Sequence, residues 1–174
     1  MVPQIVVGGR DQLENLKRAI EKLNGLDASR GAEVLGDISV QHLLAHLAQL
    51  SIVRSAGLVE ITRDSLAEEY CRTHSNAQVV ARVKSGLYKG QGVRTGQLTD
   101  FLRSFDAEWA RSFDQWLDGI SPDGVLSRKE MLNSIVGRRV KLAHGQGQST
   151  SPGMAMNYCS LSLEASRQLE CIMR

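Results

Sequence analysis

The chain has 174 residues, of which 42% are apolar and 23% charged, and its formal net charge is +2. That length suffices to bury one core without metal or disulfide staples, and that composition excludes intrinsic disorder and fibrous repeats. A net charge this small excludes a nucleic-acid binder built on bulk basicity, so any such partner must be read from where the charges lie.

The first nine residues lack a basic start followed by a long apolar stretch, and no window has the apolar length needed to cross a bilayer. Cys71, Cys159 and Cys171 are odd in number and show no paired zinc spacing, as expected of free thiols in a reducing compartment. A cytoplasmic protein with no membrane contact is the expectation.

Ile5, Val6 and Val7 before Gly8 and Gly9 read as an extended lead-in. Leu13, Leu16, Ile20 and Leu23 recur at helical spacing behind Asp11, which predicts an amphipathic helix over Asp11 to Asn24, ending before Gly25. Gly25 to Gly36 is connector-like and the best candidate boundary, dividing residues 1–36 from a helical domain over 37–174. From Ile38 the helical pattern runs on through Leu43, Leu47, Leu50, Leu58, Ile61, Leu66 and Tyr70, with Gly57 a possible bend. A further helix covers Ala77 to Leu87. Gly86, Gly90, Gly92 and Gly96 then make a flexible turn that matches neither phosphate-cradling glycine motif.

Gln97 to Leu117 reads as one helix whose Leu98, Phe101, Leu102, Phe105, Trp109, Phe113, Trp116 and Leu117 form a continuous core stripe. Ser121 to Gly124 is turn chemistry, and Ser127 with Glu130 makes a capping box for a helix running to Ala143. Gly145 to Gly153 is a loop, and a last helix spans about Ala155 to Met173. With no hairpin signals, the predicted class is an all-α bundle of five to six helices.

Between Val125 and Thr150 five basic residues (Arg128, Lys129, Arg138, Arg139, Lys141) stand against one acid, Glu130. A phosphate-bearing partner would choose this segment. At about 100° per residue, Met131, Leu132, Ile135, Val136 and Leu142 share one face, and Arg139 lies within roughly 20° of its centre. An arginine cannot discard its charge, so this placement demands either a carboxylate partner or an interface with an anion. His144 falls at the C-terminus of the same helix, ahead of a glycine free to adopt a left-handed cap. The negative end of the helix dipole favours imidazolium there, which suits a group exchanging protons near neutral pH.

The string Arg139-Val-Lys-Leu-Ala-His144-Gly145 resembles the signature of the HEPN superfamily, in particular its ribonuclease-L-like prokaryotic group, whose motif runs Arg, polar, any, Ile or Leu, Ala, His, Gly. Ser55 to Glu60 with Leu66 and Tyr70 is similar to that group's long early helix, and Phe105 to Leu117 to its third. The resemblance covers about Ile38 to Arg174 and departs at Val140, where the family has Asn, Asp or His. It implies a helical bundle that dimerises so that two motifs share one cleft, and a ribonuclease needing no metal or other cofactor. Arg139 and His144 would be its catalytic pair. Arg138, Lys141, Arg128 and Lys129 would hold RNA phosphates, which positions RNA without reading its sequence. A toxin or phage-defence effector, with an antitoxin or defence-system partner, is the role the resemblance implies. Gln146 stands where a modified subclass carries tyrosine, so that mode of regulation is not expected.

Two other readings arise from the residues. His42 and His46 are four apart on a helix, but no acidic or third histidine ligand is in register, so no metal site is expected. A non-catalytic scaffold binding RNA or a partner protein is the alternative, and Val140 favours it. A guanidinium clamped by an internal carboxylate, together with an imidazole in open solvent away from any subunit contact, would break the nuclease reading.

Overall fold

The computed structural model describes residues 2–29, 38–87, 94–147 and 149–174. They form seven helices: α1 (Gln4–Ser29), α2 (Ile38–His74), α3 (Ala77–Lys84), α4 (Thr95–Arg103), α5 (Ala107–Leu117), α6 (Arg128–Ala143) and α7 (Pro152–Ile172). The class is all-α as expected, with more helices than the predicted five to six. Among the described residues the one β-type pairing is an isolated bridge between Ile120 and Ser127. No helix among them is long and apolar enough to cross a membrane.

α2 and α7 form the central pair, with α1 laid against both and α6 crossing them. The main core gathers Ile52 and Val59 from α2, Leu98 and Leu102 from α4, Phe113 from α5, Ile135 from α6 and Leu161 and Leu169 from α7. Two smaller clusters join α1 to this pair: Leu13 with Leu58, Cys159 and Leu163, and Ile20 with Leu44, Ala48 and Ala155. The α2–α7 contact also buries Ser51, Ser55, Thr62, Ser162 and Ser166, small side chains that let two long helices approach closely.

Several sequence expectations are corrected. α1 is helical from Gln4, not extended, because fully buried Val6 extends the stripe of Leu13 and Ile20 back by a heptad, and burial overrides the weak helix propensity of Val and Gly. It also passes through Gly25 to Ser29 rather than ending before that glycine. Gly9 serves packing: a Cβ there would meet Leu58 Cδ1 at 3.2 Å. The predicted single helix over Gln97 to Leu117 is two, since Asp106 is extended and its carboxylate accepts from Glu108 N at 2.6 Å, starting α5 afresh. The break lets the Leu98/Leu102 face and the Ala110/Phe113/Leu117 face meet one core; of the aromatics there, Phe113 alone is fully buried, while Phe101, Phe105, Trp109 and Trp116 pack on its margin. α7 starts at Pro152 rather than Ala155, because Ser151 caps Met154 N at 3.2 Å and proline suits the first turn.

The expected boundary near Gly36, and Gly90 and Gly92 of the expected glycine turn, lie outside the described residues. α2 runs through Gly57 without interruption.

Candidate functional site

α6 carries the candidate residues, and both its ends are built by local sequence. At its start the capping box is formed: Ser127 Oγ accepts from Glu130 N at 3.2 Å, and the Glu130 carboxylate accepts from Ser127 N at 2.9 Å. These bonds from Ser127 hold the Glu130 carboxyl below its usual range. At the other end Gln146 N bonds Lys141 O at 2.9 Å and Gly145 N bonds Leu142 O at 3.0 Å. Gly145 takes φ +71°, the left-handed conformation this closure requires and that side chains disfavour. His144 is therefore pinned as the last residue of the turn. Its ring is exposed and has no hydrogen-bond partner among the described residues.

Arg139 is one turn earlier. Its guanidinium makes a 2.7 Å ion pair with Glu60 of α2, and the two side chains keep 32% and 14% exposure. The demand for a carboxylate partner is thus met inside the chain, and with His144 exposed the two conditions within one chain that count against the nuclease reading are both present, which leaves the subunit contact at His144 to decide it. The demand is met incompletely: the ion pair runs from Arg139 Nη1 to one oxygen of Glu60, and the other oxygen is buried with no hydrogen-bond partner among the described residues. Arg139 also lines a pocket of about 530 Å³ between α1 and α2, together with Ile5, Gly8, Val53, Arg54 and Gly57. Arg139 and His144 make no hydrogen bond to one another within one chain among the described residues.

The remaining predicted contacts divide sharply. Arg138 is tied down, donating to Ser149 O at 3.0 Å and Thr150 Oγ1 at 3.1 Å with its guanidinium 6.0 Å from the Tyr158 ring. Lys141 and Lys129 are exposed. Arg128 is a structural residue: it donates to Trp116 O at 3.1 Å, lies over the Trp116 ring at 5.0 Å and faces Glu164 at 3.6 Å. Arg128 and Lys129 also start α6, about 24 Å along its axis from His144. The basic segment is consequently two separate patches, and only Arg138, Arg139 and Lys141 share the end that holds His144.

No group of three His, Cys, Asp or Glu side chains able to hold a metal ion occurs among the described residues. His42 and His46 are exposed; His74 stacks on Tyr70 with ring centroids 4.3 Å apart and its Nδ1 lies 2.8 Å from Thr73 Oγ1. Burial pushes the Cys159 thiol up to about 11, far from nucleophilic thiolate.

Sequence reasoning missed Glu60 as the partner of Arg139 and missed the part α1 plays in the pocket. The signal for Glu60 was a lone acid within an otherwise small and apolar run, Ser55 to Ile61. No family model, no curated protein and no solved structure matches the chain significantly.

Proposed function

We propose that the chain is a metal-independent endoribonuclease of the HEPN type, acting as a homodimer in which Arg139 and His144 of both subunits flank one phosphodiester. One observation carries this reading: the same end of α6 presents a guanidinium with unused donors and an imidazole with no partner among the described residues, although the helix's pattern calls for an apolar residue at 139. The resemblance of the Leu-Ala-His-Gly ending supplies the class of reaction.

In that reaction one His144 takes the proton of the ribose 2′-hydroxyl as its oxygen bonds to phosphorus. The bond from phosphorus to the 5′-oxygen breaks, and the second His144, as imidazolium, protonates the leaving oxygen and becomes neutral. Arg139 neutralises the phosphorane, which a fixed guanidinium does without metal. The products are a 2′,3′-cyclic phosphate and a 5′-hydroxyl. Lys141, and Arg138 through the nitrogens other than the Nη1 that Ser149 and Thr150 engage, hold flanking phosphates; Arg128 and Lys129, at the far end of α6, have no part in it. Growth arrest on expression, relieved by H144A, would identify a toxin or phage-defence effector with an antitoxin or defence partner.

The test is cleavage of end-labelled RNA by wild type and H144A. His144 is exposed and outside the core, so the variant keeps fold and assembly and loses about 10²–10⁴-fold in rate. Unchanged cleavage, or a wild type that sediments as a monomer, overturns the proposal, because Glu60 already clamps the guanidinium and a lone imidazole in solvent cannot complete the site. A second reading, a scaffold binding RNA or a partner protein, draws on two features: Glu60 neutralises Arg139, and Val140, 47% exposed, replaces a polar motif residue. Tight RNA binding without cleavage selects it.

A further inference from the structure

We infer that the pocket between α1 and α2 is a nucleotide subsite: it holds one unstacked nucleotide of an RNA strand, its base against the apolar wall and its phosphate on Arg54 and Arg139. The inference rests on the RNA reading for the identity of the ligand and not on catalysis.

The volume of about 530 Å³ lies within the range of small-molecule sites. Exposed Ile5 and Val53 form the rim, and buried Leu58 and part-buried Ile61 the deeper wall, an aliphatic surface against which the face of a base can lie. Gly8 and Gly57 keep the space open, since a Cβ built at either meets nothing within 4 Å. Arg54 is the independent observation. It donates to Gln12 Oε1 at 3.1 Å and has no carboxylate partner among the described residues, so its charge faces the pocket uncompensated. Two guanidiniums against the single carboxylate of Glu60 leave one net positive charge, matching one phosphodiester. α1 then acquires a purpose: without Ile5 and Gly8 the pocket has no second wall.

The experiment titrates the full-length protein with a 2′-O-methylated RNA dinucleotide, which cannot be cleaved, following the Gly8 and Gly57 amides by NMR. Free nucleoside and inorganic phosphate are the control arms. The dinucleotide is expected to shift both amides and to bind at least tenfold more tightly than either control. G57L, which fills the pocket, and R54Q, which removes its free charge, should each weaken binding tenfold or more, and G57A marks the unperturbed fold. Binding unaffected by both G57L and R54Q overturns the inference, as does dinucleotide binding no tighter than phosphate. Should G57L fail to fold, R54Q decides alone. Failure of the nuclease reading looks different: the dinucleotide binds as expected and wild type cuts no RNA. Conversely, RNA cleavage abolished by H144A yet unchanged in KM by R54Q and G57L leaves the nuclease and removes the subsite.

Discussion

Of the arginine–glutamate pairs that cross between helices among the described residues, the two closest, Arg10–Glu170 and Arg139–Glu60, differ in completeness. Arg10 of α1 meets Glu170 of α7 at 2.7 Å, and its other nitrogens donate to Ser166 Oγ and Ser166 O, both at 2.9 Å. Glu170's second oxygen is taken by Arg174, and Thr62 closes the cluster onto Ser166 at 2.8 Å. Arg139 and Glu60 share the same 2.7 Å separation, yet the arginine is twice as exposed as Arg10 and one glutamate oxygen is buried without a hydrogen-bond partner among the described residues. A saturated buried pair locks a fold. An unsaturated one beside a pocket retains capacity for a ligand, which is why function is sought at Arg139 and not at Arg10.

The largest effect on stability should follow from breaking the saturated pair. R10A strips three donors from a mostly buried cluster and should cost about 2–4 kcal/mol in urea unfolding; a loss below about 1 kcal/mol would deny that α1 is locked to α7 in this way. A double-mutant cycle sharpens the contrast. Coupling between Arg10 and Glu170 should reach about 1–3 kcal/mol, and that between Arg139 and Glu60 should stay under about 1 kcal/mol, because a single contact with a partly exposed arginine joins the latter. Equal couplings would make both pairs structural and remove the reason for placing a ligand at Arg139.

The smallest effect concerns the start of α6, which is independent of both pairs. S127A should lower the melting temperature by about 2–4 °C at neutral pH. The Glu130 carboxyl is held below its usual range by Ser127, so its contribution is present above the unfolded-state value and lost as pH falls through the lower folded-state value. Thermal scans should accordingly show the gap between wild type and S127A narrowing at acid pH by the share of the hydroxyl's bond to the carboxylate, since the Ser127 N bond survives the substitution; a constant difference would assign the whole effect to the hydroxyl's cap on Glu130 N.

Much of the fold was legible because local rules and burial agreed. The heptad-spaced stripe of α1, the capping box at Ser127 and the Gly145 closure each follow from neighbouring residues, and each is present. Legibility failed where a distant partner decided. Val6 is helical because α2 and α7 bury it, and Phe105 and Trp109 lie on the core's margin because Asp106 turns α5 away from α4. At the site, the sequence exposed Arg139 as misplaced on its helix and His144 as a helix-terminal group, since both depend on angular position along one element.

By itself, then, the sequence determined the helical class, the end of α6 where the two candidate residues stand, and the need for a counter-charge at Arg139, all of them consequences of periodicity and of the cost of burying charge. Only the tertiary structure decided that Glu60 answers that need and leaves it half met, that Arg128 belongs to Trp116 and Glu164, and that α1 walls a pocket with Arg54. Those facts join residues far apart in the chain, and no local pattern encodes which helices will meet.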